Sequence, residues 1–346
     1  MKHQTTRYGE IPFYKIGTFG NTADAFISKK LFLEYRTKYS FPKKGDILIS
    51  ASGTIGRAVI YDGKPAYFQD SNIVWIDNDE TLVKNDFLFY AYSNVKWNTE
   101  HTTILRLYND NFRNTLIPLP PLNEQNAIAN ILSALDRYLC ALDALILKKE
   151  SVKKALSFEL LSQRKRLKGF NQAWQKVRLG DIANYLTSNL STEQITQQGK
   201  IKVYDVNNFI GYTDTTFISD KPYISIVKDG SVGRVRILPP KTNILSTMGA
   251  LIANHRTTTE FLFYLLSNFD FKNFTSGSII PHIYFKDYKE KTIFLPPLNE
   301  QSAIANILSA LDNEITSLKN KKRQFENIKK ALNHDLMSAK IRVLKK

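Results

Sequence analysis

The chain has one cysteine in 346 residues, Cys140, which excludes an internal disulfide and any cysteine-built metal site. In its apolar surroundings that thiol reads as small buried filler. No apolar run approaches the roughly 18 residues of a membrane-spanning helix. Met1-Lys2-His3-Gln4 leads into polar sequence where a secretory signal would carry its apolar core. A cytoplasmic protein is the expectation. The five histidines, His3, His101, His255, His282 and His334, show no paired ligand spacing, so no metal site is expected. Acidic residues are scarce as well: 32 Asp plus Glu stand against 48 Lys plus Arg, a net charge of +16 with a pI near 9.6. Such an excess points to a polyanionic partner, the alternative being a solvated surface that is merely basic. The long amphipathic segments interleave acids with bases, which argues against a helix lying on a membrane.

What the chain does have is a repeat. Leu119 to Asp136 reads LPPLNEQNAIANILSALD and Leu295 to Asp312 reads LPPLNEQSAIANILSALD, differing only at Asn126 against Ser302. The same offset relates Lys153-Lys154-Ala155-Leu156 to Lys329-Lys330-Ala331-Leu332, so the protein is two copies of one plan. After each Pro-Pro, apolar residues recur at alternating 4 and 3 spacing: Ile128, Leu132, Leu135, Leu139, Leu142 and Ile146, resuming at Val152, Leu156 and Leu160. The second copy has Ile304, Leu308, Leu311, Ile315, Leu318, Phe325, Ile328, Leu332 and Leu336. This is the seam of a coiled coil, and it predicts two long helices in residues 122–168 and 298–346. Pro120-Pro121 and Pro296-Pro297 stop the preceding strand, and Asn123 and Asn299 are placed to cap the first turn.

Each helix follows a globular unit, residues 1–121 and 169–297, with short strand-like runs at 46–50, 74–76, 225–227 and 234–238. The units have diverged, yet Gly53-Thr54-Ile55-Gly56-Arg57 matches Gly230-Ser231-Val232-Gly233-Arg234, and Asp86-Phe87-Leu88-Phe89-Tyr90 matches Glu260-Phe261-Leu262-Phe263-Tyr264. The predicted fold is α+β: two mixed units alternating with two long helices that pair as an antiparallel coiled coil about a pseudo-two-fold axis. Connectivity demands the antiparallel sense, because helix 1 runs from the first unit to the second and helix 2 starts from the second.

With two PPLNEQ helices, two divergent units, and Trp174 to Asp181 (WQKVRLGD) opening the second, the chain resembles the specificity subunit of type I restriction-modification systems along essentially its whole length. Gly45 to Ser50 with Gly53 to Gly56, and Ser276 to His282, are weaker marks of the same family. The resemblance implies two target recognition domains that each read half of a split double-stranded DNA site, and helices that set the gap. It also implies two docked methyltransferase subunits that bring S-adenosylmethionine, and separate restriction subunits in the full complex. The first unit departs from this pattern, starting at Gly9-Glu10-Ile11-Pro12-Phe13 with no Trp-and-LGD opening, which implies a trimmed but working head.

No chemistry is expected in the chain itself. An adenine methyltransferase needs Asn or Asp before Pro-Pro and an aromatic, whereas both copies read LPPL. The Gly20 and Gly53 to Gly56 turns lack the acidic partner of a nucleotide site. Candidate DNA contacts follow from residue type: Arg grips guanine, Asn and Gln grip adenine, and Lys holds phosphate. In the first unit these are Lys43, Lys44, Ser52, Thr54, Arg57, Gln69, Asp70, Ser71 and Asn72, with Thr102, Thr103 and Arg106. In the second they are Lys228, Ser231, Arg234, Arg236, Lys241, Ser276, Ser278 and His282. Arg57 and Arg234, kept in both heads, suit phosphate better than base. Asn123-Glu124-Gln125 and Asn299-Glu300-Gln301 are polar and identical, which reads as a docking surface for two copies of one partner. The rival readings are a nuclease or methyltransferase with an unrecognised site, a coiled-coil scaffold without sequence preference, and an RNA-binding protein, for which no aromatic stacking motif is found.

Overall fold

A computed structural model describes residues 4–69, 72–97 and 106–344. The chain divides into two compact units, one of Met1–Asp143 with Asn320–Lys346 and the other of Ala144–Lys319. Each unit therefore holds one head and parts of both long helices. Among the described residues, no helix is long and apolar enough to cross a membrane.

The first head runs β1 (Ile11–Tyr14), β2 (Ala25–Ile27), α1 (Lys29–Lys38), β3 (Ile47–Ser50), β4 (Ala58–Ile60), β5 (Tyr67–Phe68), β6 (Ile73–Ile76), α2 (Asn85–Tyr92) and α3 (Asn109–Arg113). Strand β1 pairs antiparallel with β2 and parallel with β5, and β3 lies antiparallel between β4 and β6. All of β3 is buried because alternate side chains serve two cores: Ile47 and Ile49 pack with Leu88 and Tyr92 of α2, while Leu48 packs with Phe19, Tyr61 and Ile73. The Ser28 hydroxyl caps α1 by accepting from the Leu31 amide at 3.2 Å.

The long helix α4 (Leu122–Leu161) leads to the second head. There follow β7 (Gln175–Arg178), β8 (Ala183–Thr187), β9 (Ile201–Tyr204), β10 (Phe209–Thr213), β11 (Tyr223–Val227), β12 (Val235–Leu238), β13 (Thr242–Ile244), β14 (Met248–Ala253), α5 (Thr259–Ser267), β15 (Thr275–Ser276), β16 (His282–Ile283), α6 (Phe285–Tyr288) and β17 (Thr292–Leu295), before α7 (Leu298–Met337). The sheet β10-β9-β13 repeats β2-β1-β5, and β12-β11-β14 repeats β4-β3-β6. Further pairings extend this head: β8 pairs with the outer edge of β14, and β7 pairs antiparallel with β17. The first head has no counterpart of either among the described residues. Its matching positions begin later, where the Thr6 to Phe26 bridge repeats Thr196 to Tyr212.

Both long helices start at the leucine after Pro-Pro, as the sequence predicts, and both end sooner than expected. The stop is the same in each. Gln163 (φ 62°) and Ala339 (φ 54°), a matched pair, take the left-handed conformation that closes a helix without the usual glycine. Within the first unit, Asp143 pairs with Lys322, Asp136 with Lys329 and Glu124 with Arg342; within the second, Lys149 pairs with Glu314, Lys153 with Asp312 and Arg166 with Glu300. Rising numbers on α4 and the turn after it meet falling numbers on α7 and the turn after it in both units, so the helices pair antiparallel.

The apolar stripe is not a pure helix-to-helix seam. Ile128 and Leu132 pack with Phe87, Tyr90 and Leu336, and Ile304 and Leu308 join the core that contains Phe261 and Leu160. The stripe seats the heads as well as the partner helix, which leaves Val152 and Ile328 exposed. Cys140 is exposed too, contrary to its reading as filler. Lys149 and Phe325 occupy matched positions but behave differently: Lys149 Nζ binds Glu314 at 2.8 Å, whereas Phe325 packs on Tyr138 with ring centroids 4.7 Å apart.

Buried phenols make this fold sensitive to alkali. Burial pushes Tyr92 and Tyr223 up to about 12, and raises Tyr90, Tyr264 and Tyr288 further. An unfolded chain loses these protons near pH 10, so the folded state binds more protons above that pH and stability falls as pH rises past it. Phenolate absorbance followed with circular dichroism should show the buried set ionising together with unfolding between about pH 10 and 12; free ionisation in an intact fold would contradict this.

Candidate nucleic-acid interface

The shared glycine turn is the organising feature of each head. After β3, the Gly56 amide donates to Ser50 O at 3.0 Å and the Ser50 amide to Arg57 O at 2.9 Å; after β11, the Gly233 amide donates to Val227 O and the Val227 amide to Arg234 O, both at 2.9 Å. The turn needs φ of +68° and +78° at Gly53 and Gly56, and +81° and +80° at Gly230 and Gly233, conformations that side chains disfavour. An aromatic ring also closes on the last glycine. A Cβ at Gly56 would lie 2.2 Å from Trp97 Nε1, and one at Gly233 would lie 2.6 Å from the Phe271 ring.

Around this rigid turn the two heads carry different side chains. In the first, Ser52 Oγ donates to Asn72 Oδ1 at 2.8 Å and Arg106 Nη2 donates to the same oxygen at 3.3 Å, with a backbone bridge joining residues 52 and 106. In the second, the matching bridge joins Asp229 to His282, and His282 Nδ1 lies 2.7 Å from Asp229 Oδ1. Three of the candidate contacts, Ser52, Asn72 and Arg106, thus meet at one oxygen, whereas Asp229, whose partner lies 53 residues away, is not among the candidates read from the sequence. Thr54, Ser231, Ser276 and Ser278 are exposed on these loops, and Lys228 is half-buried beside its own. Asp70, Ser71, Thr102 and Thr103 lie outside the described residues.

Arg57 and Arg234 both reach back to the hairpin loop of their head. Arg57 Nη1 donates to Phe19 O at 2.9 Å, and Arg234 Nη2 donates to Asn207 Oδ1 at 2.7 Å. Arg236 joins this tie through Asn207 O at 2.8 Å and lies over the Tyr204 ring at 5.3 Å. Each guanidinium has five N–H groups, so the ties leave donors to spare for phosphate. Gln69 is half-buried and accepts from the Ile16 amide at 3.4 Å. Lys43, Lys44 and Lys241 are not part of this cluster. They sit at the opposite ends of the hairpin strands from the glycine turns, a strand length of roughly 13 Å away.

The Asn-Glu-Gln segments are joints within each unit rather than a docking surface. Glu124, Gln125, Glu300 and Gln301 are all at most 3% exposed. Gln125 donates to Leu82 O and Pro120 O and accepts from the Lys84 amide; Gln301 donates to Arg256 O and Pro296 O and accepts from the Thr258 amide. Each glutamine thus pins the start of its helix to the loop before α2 or α5. The Arg342 guanidinium holds the Glu124 carboxyl below the usual range. Glu300 accepts from Arg166 and from the Trp174 indole at 2.9 Å. These internal bonds account for the identity of the two copies, and only Asn123 and Asn299 remain on the surface, each accepting from the next amide at 2.9 Å.

A second repeated joint escaped the sequence reading. Tyr90 donates to Asp136, which also binds Lys329, and Tyr264 donates to Asp312, which also binds Lys153. Each lysine stands over the tyrosine ring. Head, following helix and opposite helix meet in one cluster, and the signal was present as Tyr90 and Tyr264 in the matched FLFY segments.

Two heads of one topology, each a rigid turn framed by variable polar side chains and locked to paired helices by the same joints, define a duplicated recognition protein. A family model, the type I restriction modification DNA specificity domain, matches residues 1–150 and 171–327, and the chain belongs to that family. It is 64% identical over 133 residues to a putative type I restriction enzyme specificity subunit of Haemophilus influenzae, an alignment covering 38% of this chain and 34% of that protein. It is 29% identical over 335 residues to the putative MjaX specificity subunit of Methanocaldococcus jannaschii, covering 86% and 79% of the two chains. The fold is that of the type I S subunit from M. genitalium, with a TM-score of 0.64 at 20% identity over 97% of this chain and 91% of that one.

Proposed function

We propose that this chain is the DNA-recognition subunit of a type I restriction-modification complex and carries no catalysis of its own. Each head reads one half of a bipartite asymmetric double-stranded site, the paired helices set the gap, and two methyltransferase subunits dock with their S-adenosylmethionine. Restriction subunits complete the assembly in the cytoplasm. One observation carries the reading: the joints and glycine turns are repeated nearly unchanged, while the side chains framing the turns are Ser52, Asn72 and Arg106 in one head and Asp229 and His282 in the other. Equal scaffolds with unequal reading groups suit two different half-sites. The net charge of +16 supplies the sequence-independent attraction to phosphate.

The test is to co-express the chain with a methyltransferase subunit of its own system and map methylated bases across the host genome. A split motif that depends on the chain is expected. Arg106→Ala should relax one half only, at a cost of about 1–3 kcal/mol per lost base contact, and His282→Ala the other half only. Methylation by the chain alone, or an unchanged motif in both variants, would contradict the assignment.

A further inference from the structure

At matched places the two heads present hydrogen-bonding groups of opposite kind. Arg106 and His282 correspond, each bridged through its backbone to the residue that opens its glycine turn, Ser52 or Asp229. A guanidinium only donates, so the Asn72 atom that meets Arg106 at 3.3 Å is the amide oxygen, and Ser52 Oγ donates to the same atom at 2.8 Å. With that oxygen taken twice, what Arg106 and Asn72 can offer a base is N–H.

In the second head the polarity is reversed. His282 Nδ1 lies 2.7 Å from Asp229 Oδ1, and a carboxylate only accepts, so the ring proton sits on Nδ1. The neutral ring then holds a lone pair on Nε2. Among the described residues no protein group meets Nε2, and it is not closed off from solvent. The ring is also held in place. On either side of it the Gly230 amide donates to Pro281 O and the Ile283 amide to Lys228 O, both at 2.9 Å. The neighbours of His282 are thus tied to the neighbours of Asp229, and the Tyr284 ring lies within 22° of parallel to the imidazole, with centroids 6.5 Å apart.

We propose that the second head reads its half-site at an exocyclic amine, which donates to His282 Nε2, with Asp229 as the positioning residue that keeps the proton on Nδ1. The major groove carries two such donors, N6 of adenine and N4 of cytosine, so a fixed acceptor there selects an amine. Arg106, a fixed donor, instead suits acceptors such as O6 and N7 of guanine. The inference rests on the proposed DNA reading and deepens it, naming the chemical group that one head recognises.

The test measures binding of the chain, assembled with the methyltransferase subunits of its own system, to synthetic duplexes of its mapped motif. The position that His282→Ala relaxes locates the base pair and tells whether the amine is adenine's or cytosine's. There, purine in place of adenine, or 2-pyrimidinone in place of cytosine, removes the amine, whereas a 7-deazapurine in the same pair removes N7 and leaves the amine. Loss of the amine is expected to weaken binding about tenfold in the native complex and to cost nothing further in the His282→Ala complex, a comparison that subtracts the weaker pairing of the analogue. The 7-deaza duplex should bind as the natural one does. Asp229→Ala should erase most of the amine preference while the melting temperature and the first half of the motif stay the same, a pattern that general disruption of the head would not give. An amine penalty that persists in His282→Ala, a loss with the 7-deaza base instead, or a preference untouched by Asp229→Ala would overturn the proposal and leave the DNA reading intact. A His282→Ala complex that relaxes no position would overturn the reading of this head and the inference with it.

Discussion

Replacing Gln301 with alanine is expected to lower the stability of the second unit by about 3–5 kcal/mol, among the largest losses any single polar residue here can cause. The side chain is fully buried and makes four bonds: Nε2 donates to Arg256 O at 2.9 Å and Pro296 O at 2.8 Å, and Oε1 accepts from Thr257 Oγ1 at 2.9 Å and the Thr258 amide at 3.0 Å. Alanine removes one side of every bond, two of them buried and two part-buried, and each buried group left unpaired costs about 1–3 kcal/mol before relaxation. Calorimetry should show a fall in melting temperature on the order of 10 °C. Gln125→Ala should cost less, because three bonds replace four. Equal small shifts of a degree or two would mean that water fills both joints, and that the heads are held by the helix stripe alone.

The contrast between these glutamines and the glycine turns shows what one sequence can disclose. Gly53, Gly56, Gly230 and Gly233 were legible because a doubled glycine at fixed spacing has few physical meanings, and the structure gives all four positive φ. The long helices and their antiparallel sense were legible from Pro-Pro, the 4 and 3 spacing and connectivity. Asn-Glu-Gln was legible as a feature and misread as a surface, because burial of a polar group depends on partners such as Arg256 O and Leu82 O that lie over 40 residues away. The helix ends were hidden for another reason: Gln163 and Ala339 adopt a conformation their side chains do not advertise. Exposed Cys140 sits beside the stripe rather than on it, and a window of apolar residues does not resolve one helix face from the next.

Lengthening both helices by one heptad at matched points should move the two half-sites apart without altering either. The structure selects the points. Asp143/Ala144 and Lys319/Asn320 divide each helix between the units, so an insertion there leaves Asp143 with Lys322 and Lys149 with Glu314 in their own units. Insertion within Lys148–Lys154 instead risks sliding Lys153 away from Asp312. Seven residues add about 10 Å of helix, equivalent to about three base pairs, and a heptad keeps the apolar stripe on the same face to within roughly 20°. The doubly lengthened chain should methylate a motif with the same two halves and a gap longer by about three base pairs, and should lose the original site. A chain lengthened in α4 alone is the control: with only one helix extended, the ion pairs of one unit must shear, and methylation of either site should be lost. Altered half-sites in the double insertion would mean that the helices take part in reading, and an unchanged gap would remove their role as spacers.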